Sequence, residues 1–272
     1  MSIDFAEKYS AKIDERFKLG MLTAGAVNND YDFVGVKTVN VYSVPVVAMG
    51  NYTRSGANRY GNPSELEPTA QEMTLSKDRA FTFTIDRGNL EDAMLAQEAG
   101  RALQRQIDEV VIPEIDVYRL SVMATNAKNS ATTEVTSSNA YSVFLDGVSK
   151  LTDEKVPLAG RIAYVSPNFY KLIKLDDAFV KAGDLAQDML IKGQVGMIDG
   201  VAIILVPTSY LPEDVQFIIT HASAVVSPIK IAEYKVHDNA PGISGYLVEG
   251  RVYYDAFALN NKKGAIYKHA NP

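Results

Sequence analysis

The chain contains no cysteine, little histidine and no long apolar run. Zero Cys among 272 residues excludes disulfides, thiolate metal sites and a cysteine nucleophile. The three histidines, His221, His237 and His269, do not have the spacing of a metal site. No segment approaches the ~18 consecutive apolar residues of a membrane span, and the charged N-terminus has no signal-peptide core. We therefore expect a protein made and used in the cytosol, without metal or cofactor.

The charge balance and the scarcity of motifs exclude further function classes. A net charge of −6 and an isoelectric point near 5.2 argue against a dedicated nucleic-acid-binding protein, which would carry a basic patch. The glycines between Gly193 and Gly200 precede a predicted strand, and no Lys-Ser/Thr follows them as in a phosphate-binding loop. A Gly-x-Ser-x-Gly nucleophile elbow is also absent. A chain of this length without a convergent site favours a structural role over an enzymatic one.

One long stretch, residues 89–127, is predicted to form a helical spine. It is rich in Ala, Leu, Gln, Glu and Arg, which favour helices, and Asn89 can cap its N-terminus. Pro113 should bend the helix, because proline has no N–H and its ring crowds the carbonyl four residues back. The apolar stripe predicted along one face comprises Leu103, Ile107, Val110, Val111, Ile115, Tyr118 and Val122.

Residues 31–88 are predicted to form a long β-hairpin. The rising strand spans 39–44, and alternation with a period of two marks residues 73–75 and 81–85. Between the strands, residues 50–68 are mostly Gly, Pro and polar side chains with almost nothing to bury. A connection of that length counts against a purely globular domain and favours a hairpin that reaches out to another molecule.

The rest of the chain alternates helices and strands, so that the predicted class is α+β. Helices are expected at 140–152, at 167–174 with Ser166 as N-cap, and at 176–192. Predicted strands, several of them apolar on both faces, lie at 161–165, 201–206, 215–220, 246–249, 251–259 and 265–268.

Two groups of residues are candidates for subunit contacts. Exposed Tyr and Arg are enriched at interface cores, so the hairpin tip is favoured as an interface over a solvated loop. The N-terminal helix has one apolar face and packs either on its own domain or on a neighbour. Two arginines of the spine pair either along the helix or with a neighbour's acidic hairpin. The tip residues are Tyr52, Arg54, Arg59, Tyr60, Glu65 and Glu67, and those of arm and spine are Phe5, Tyr9, Ile13, Phe17, Arg101 and Arg105.

The order of these elements is accompanied by several distinctive sequence phrases. They are RSGANRYG at 54–61, FTFTIDRGN at 81–89, RQIDEVVIPE at 105–114 and RIAYVSP at 161–167. With the element order, they make the chain similar over essentially its whole length to the major capsid proteins of tailed bacteriophages with the HK97 fold. The phrases resemble most those of phages or prophages of Gram-positive bacteria such as Clostridia. No single phrase is diagnostic; the order and the phrases together carry the resemblance.

The resemblance implies an HK97-like division of the chain. It comprises an N-terminal arm (1–30), an E-loop hairpin (31–88), a peripheral (P) domain with the spine helix (89–135), an axial (A) domain (136–235), and strands that return to the P domain (236–272). It also implies hexamers and pentamers of the chain, assembled in the bacterial host cytoplasm into an icosahedral virion shell. The shell would enclose double-stranded DNA without reading its sequence. A separate scaffolding protein, a portal and, in some members, a decoration protein would be partners, with no membrane and no cofactor.

Three other interpretations compete with a phage head. An encapsulin-type compartment has the same fold but carries a cargo-peptide site and packs no DNA. A ligand-binding or enzyme domain of the α+β class, with residues 50–68 as a lid, would be a monomer or small oligomer with a polar pocket. A coiled-coil assembly factor built on the spine is disfavoured by Pro113 and by the short periodic run.

Overall fold

The computed structural model describes residues 20–28, 30–31, 33, 37–87, 99–178, 194–238 and 240–272. Residues 1–19, which hold most of the predicted arm, lie outside the described residues. The predicted start of the spine (88–98) and most of the helix predicted at 176–192 lie outside them too.

The described residues form a mixed α+β structure with a hairpin, a three-stranded ribbon and a six-stranded sheet. Its helices are α1 (Ala99–Gln106), α2 (Ile112–Thr125), α3 (Ala140–Asp153) and α4 (Pro167–Lys174). Its strands are β1 (Thr38–Ser43), β2 (Thr69–Thr74), β3 (Lys77–Asp86), β4 (Asn129–Thr132), β5 (Arg161–Val165), β6 (Gln194–Ile198), β7 (Val201–Leu205), β8 (Val215–His221), β9 (Val225–Val226), β10 (Ile229–Asp238), β11 (Gly245–Tyr254), β12 (Phe257–Ala258) and β13 (Ile266–Ala270).

The hairpin consists of β1 and β2, paired antiparallel with Thr38 opposite Thr74 and Ser43 opposite Thr69. Met73 and Leu75 are fully buried at its base, in a small apolar cluster with residues from distant parts of the chain. Beyond Leu75 the chain leaves the hairpin. The strand predicted at 81–85 therefore exists, but as part of β3 in the ribbon, and its place in the hairpin was wrong. The physical reason is Ser76, whose N–H and hydroxyl both donate to the carboxylate of Asp255, 2.7 and 2.8 Å away.

The ribbon has the strand order β10-β11-β3, with both pairings antiparallel. Phe81 stacks on Phe83 and on Tyr234, with ring centroids 6.3 and 6.2 Å apart. Gly250 lies between Phe81 and Tyr234 in the register of the three strands. A Cβ at Gly250 would come within 2.3 Å of the Phe81 ring, so glycine is what lets the rings lie over the central strand.

The spine helix, residues 99–125, consists of α1, a π-helical turn at Ile107–Val111 and α2. In the π turn, the N–H of Ile112 donates to the carbonyl of Ile107, five residues back. The predicted distortion at Pro113 thus takes the form of a π turn that ends two residues before the proline. The predicted apolar stripe was wrong in part, because the extra residue in a π turn shifts the buried face. Val110 is 46% exposed, and the buried residues of α2 are Ile115, Asp116, Arg119, Leu120, Met123 and Ala124.

The six-stranded sheet has the order β4-β13-β8-β5-β7-β6 and is covered on both faces. Helices α3 and α4 cover one face through an aromatic cluster in which the rings of Phe169 and Phe217 lie 4.5 Å apart. The spine helix covers the other face, where Leu120 and Met123 pack with Ile218. Near-continuous apolar strands are the pattern expected for a sheet buried on two sides.

Most local predictions for the second half of the chain are confirmed. The two strands predicted at 246–249 and 251–259 were wrong in their bounds, because Gly250 continues the ladder and β11 runs unbroken from Gly245 to Tyr254. Strand β5 has the predicted bounds, and β7, β8 and α3 agree to within one residue. The N-cap prediction also holds, because the hydroxyl of Ser166 accepts a 3.1 Å hydrogen bond from the N–H of Phe169. Residue 235, where the predicted A domain ends, lies inside β10, and β13 joins the six-stranded sheet. The division into arm, E-loop, P and A domains stays a prediction.

A buried polar hub, defined as Thr23, Asp116, Arg119, Ser227 and Asp255, joins the spine helix to its surroundings. Asp116 accepts hydrogen bonds from the N–H groups of Leu22 (2.8 Å) and Thr23 (3.2 Å) and from the Thr23 hydroxyl. Arg119 donates to the hydroxyls of Ser227 (2.8 Å) and Thr23 (3.1 Å). Burial lowers the pKa of Arg119, and the negative charge of Asp116 opposes that shift. The two buried charges thus stabilise each other and are hydrogen-bonded by segments that are remote along the chain.

Asp255 connects the hub to the base of the hairpin. Its backbone carbonyl accepts from the Ser227 hydroxyl (2.8 Å), and its carboxylate accepts from the hydroxyl of Tyr118 (2.7 Å) and from Ser76. Burial, reinforced by the hydrogen bond to Asp255, raises the pKa of Tyr118 and keeps the phenol a donor. The hub therefore fixes the N-terminal segment, the spine helix and the hairpin base relative to one another.

We predict that Asp116→Ala destabilises the dispersed subunit by about 3–5 kcal/mol, because it leaves buried donors and the Arg119 charge without their acceptor. Urea unfolding measures the loss. The control is Asp153→Ala, at an exposed position near the end of α3, which should change the free energy of unfolding by less than about 0.5 kcal/mol. Equal losses in the two variants would contradict a structural role for the hub.

We also predict that Gly250→Ala costs about 1–3 kcal/mol, since the added methyl group displaces the Phe81 ring. In a Phe81→Ala background the same substitution should cost much less, because the clashing ring is gone. A double-mutant cycle by urea unfolding measures this coupling. Additive losses would mean that the ring does not need the space above Gly250.

Candidate subunit interface

The hairpin loop, residues 44–68, extends beyond the β1–β2 ladder, and every residue in it is exposed. This confirms an unburied connection between the two strands, somewhat longer than the predicted 50–68. Its first limb is unusually apolar for an exposed segment. Val46 is 93% exposed and Met49 is fully exposed, and Val44 and Val47 lie beside them. Apolar side chains grouped on a projection are typical of a surface that another molecule covers.

The tip of the hairpin loop is shaped by its own hydrogen bonds. The N–H of Thr53 donates to the carbonyl of Arg59 (3.0 Å), and that of Gly61 donates to the carbonyl of Asn58 (2.8 Å). The Arg59 side chain closes the turn by donating from Nε to the carbonyl of Gly56, 3.2 Å away. Gly56 has a φ of 89°, in the left-handed region that glycine adopts without strain. The tip is thus a defined turn, even though it has no core beneath it.

Two of the predicted tip residues contact each other. The rings of Tyr52 and Tyr60 meet edge to face, with centroids 5.1 Å apart, and both remain exposed. Arg54 is exposed on the same turn. A partner would therefore meet two tyrosines held in one orientation, with arginines beside them, which is the composition enriched at interface cores.

The other predicted contact residues are more dispersed. Glu65 and Glu67 are exposed on the returning limb of the hairpin loop. On α1, Arg101 is exposed and Arg105 is half-buried. The pairing of these two arginines, along the helix or with a neighbour's hairpin, stays a prediction. The predicted arm residues Phe5, Tyr9, Ile13 and Phe17 lie outside the described residues.

Sequence reasoning missed two features that bear on assembly. The hub was not predicted, because Asp116 and Arg119 on a helix suggest a solvated face. Strand β10 was not predicted either, although Ala232, Tyr234 and Val236 alternate with charged residues in the pattern of a strand. That alternation was the available signal.

Within the described residues, no group of three or more His, Cys, Asp or Glu side chains is arranged to hold a metal ion. None of the helices in the described part of the chain is long and apolar enough to cross a membrane.

Comparison with solved structures gives matches over the whole chain at low sequence identity. A structure from Mycobacterium phage Che8 superposes with a TM-score of 0.77 at 15% identity, covering 99% of this chain and 98% of that one. The capsid of the cyanophage P-SCSP1u gives 0.78 at 10% identity, covering 99% and 93%. The capsid of Ralstonia phage GP4 gives 0.70 at 10% identity, covering 100% and 98%. These matches confirm the predicted HK97-like α+β fold.

Comparison of sequences adds the family. No curated protein sequence matches the chain. The family model described as "Phage capsid protein", however, matches residues 67–268, which is well over half of the chain. The chain therefore belongs to the phage capsid protein family, and it is a structural, non-enzymatic protein of a phage head.

Proposed function

We propose that the chain is the major capsid protein of a tailed phage and that its hairpin loop lies on a neighbouring copy within hexamers and pentamers. One observation carries this proposal: the hairpin loop is exposed throughout, while its base is held rigidly by the hub and by Met73 and Leu75. A projection that is apolar, shaped and firmly anchored is suited to contact between copies.

The contacts expected of such a shell need not be strong individually. Each copy engages several neighbours at once, so that modest contacts add up through effective concentration. Contacts within a capsomer would be heterologous and would close a ring about the five-fold or six-fold axis. Arg54 and Arg59 at the tip and Glu65 and Glu67 on the returning limb offer opposite charges to such neighbours.

The remaining partners follow from the resemblance. The shell would be built in the cytoplasm of a bacterial host, which we propose to be Gram-positive, with a separate scaffolding protein and a portal, and in some heads a decoration protein. It would enclose double-stranded DNA without reading its sequence. A net charge of −6 suits a container that must not bind tightly to the DNA packaged inside it. The arm (1–30), E-loop (31–88), P domain (89–135, 236–272) and A domain (136–235) are proposed as its parts.

Electron microscopy of the chain, expressed alone and with the scaffolding protein of its phage, tests this function. We expect closed shells, tubes or free capsomers. A monomer under both conditions would contradict the proposal and favour the lidded α+β domain. Shells that form in infected cells but contain a protein cargo and no DNA would favour the encapsulin-type compartment.

We predict that the hairpin loop becomes protected only on assembly. Amide hydrogen exchange in residues 44–68 should be fast in the free subunit, apart from the few hydrogen-bonded amides of the tip, and slow in the particle. Residues 161–165 in β5 serve as the internal control, because this central strand is hydrogen-bonded to β7 and β8 within one copy and should be protected in both states. Equal protection of residues 44–68 in both states would rule out a contact role for the loop.

We predict that Arg54→Ala weakens assembly and leaves the melting temperature of the free subunit within about 2 °C of the parent, since an exposed charge adds little to subunit stability. Arg59 is the less informative site, because its side chain also closes the turn. Lys171→Ala, at an exposed position on α4, is the charge-matched control. Assembly yield is read by sedimentation, and an equal effect of the two variants would contradict a specific role for Arg54.

A further inference from the structure

Strand β10 is an edge strand of the ribbon, ten residues long. An edge strand presents backbone N–H and C=O groups to any extended segment that can pair with them. Natural edges are usually protected by being short or by carrying charges that repel another copy. The edge formed by β10 is long, and its residues 232–233 and 235–238 are exposed.

The charges on β10 are arranged antisymmetrically about Tyr234. Glu233 and Lys235 flank Tyr234, and Lys230 and Asp238 lie four residues away on either side. If two copies of β10 pair antiparallel with Tyr234 opposite Tyr234, Glu233 of each copy faces Lys235 of the other. The same register places Ala232 opposite Val236 on the face that carries Tyr234. Ala232 then meets Val236 and Glu233 meets Lys235, as stable cross-strand pairs require. Ile231 meets His237, which adds neither an apolar pair nor a charge pair.

We propose that β10 pairs with β10 of a second copy about a two-fold axis at Tyr234, which joins two ribbons into one six-stranded sheet. This inference rests on the proposed function, which supplies many copies of the chain, and names a contact between capsomers. Unlike the ring-closing contacts of the hairpin loop, it is isologous, with the same strand on both sides.

The local contacts of β10 are compatible with this pairing. Within one copy, Lys235 lies 3.5 Å from Glu233, and both side chains are about 60% exposed. Asp238 is likewise paired with Arg87 (3.1 Å), and His237 lies 3.3 Å from Glu249, with all four side chains about half exposed. Exposed ion pairs of this kind are weak, so that each partner can also face the opposite charge of a second copy. The β-bulge falls at Lys230, so that the regular register of the proposed pairing covers residues 231–237 and depends on the Glu233–Lys235 and Ala232–Val236 pairs.

The opposite edge of the ribbon does not have this symmetry. Strand β3 carries Lys77, Asp78 and Arg79 together at one end, and its other end has Asp86. No antiparallel register of β3 with itself matches all of these charges. Self-complementarity thus singles out β10.

Disulfide formation tests the register, because the chain has no cysteine of its own. In oxidised particles of the full chain, Tyr234→Cys should form covalent dimers, since each new cysteine faces its symmetry mate at a distance a disulfide spans. Ala232→Cys should not, because its mate lies four residues away, roughly 13 Å along the strand. The double variant Ala232→Cys/Val236→Cys should recover the dimer while it retains Tyr234.

Charge reversal provides a second test that does not depend on crosslinking. Glu233→Lys places lysine opposite Lys235 of the partner copy and should reduce shell yield several-fold. The exchange Glu233→Lys/Lys235→Glu restores opposite charges in the same register and should restore the yield. Glu134→Lys, in an exposed loop, makes the same change in net charge and should have no effect.

The outcomes separate this inference from the proposed function. Wild-type shells with no dimer from Tyr234→Cys or from the double variant would overturn β10 pairing and leave the capsid function standing. Dimers from Ala232→Cys alone, at the yield of Tyr234→Cys, would overturn the register. If the wild type stays a monomer and forms neither shells, tubes nor capsomers, the proposed function fails, and the same variants are scored in the free subunit, where absence of dimers overturns the pairing.

Discussion

The burial of two charged side chains on the spine helix is the constraint on which the rest of this structure depends. Asp116 and Arg119 are almost completely buried, so water cannot solvate them. Other groups of the chain must therefore supply their hydrogen bonds. The groups that do so come from residues 22–23 and from Ser227, which is itself tied to Asp255. An apolar spine could slide against its neighbours at little cost. The directional hydrogen bonds of Asp116 and Arg119 instead fix the spine helix in one position relative to its neighbours.

Features of the fold could be predicted from the sequence where a short local pattern encodes them, and could not where they depend on contacts between distant segments. The Ser166-Pro167 helix start, the apolar strands and the hairpin strands with their exposed connection follow from short patterns, and the structure confirms them. The assignment of β3 to the ribbon depends on its pairing with β11, more than 150 residues away along the chain. The buried face of α2 depends on a π turn, whose extra residue shifts the helical period. The hub depends on partners from four separate segments, which no local pattern encodes.

For the candidate interface, too, only the features encoded in a local sequence pattern could be predicted. The composition of the tip indicated an interface, and the structure adds that Tyr52 and Tyr60 touch and that Arg59 closes the turn. Preorganisation of this kind reduces the entropy lost when a contact forms. The self-complementary edge of β10 was readable in the sequence only after the strand and its edge position were known. Heterologous contacts through the hairpin loop and an isologous contact through β10 would together supply both kinds of connection that a closed shell needs.

The way the hairpin loop is attached has a mechanical consequence. If a neighbour pulls on the tip, the tension runs along β1 and β2 side by side, from Ser43 and Thr69 near the loop to Thr38 and Thr74 at the base. Because both strands join the same loop, they carry the load together, and the pull does not peel one strand from the other. At the base, the load passes through Ser76 to Asp255 and from there to the spine helix. The subunit can therefore transmit tension from a neighbouring copy into its own core, which suits a container under internal pressure.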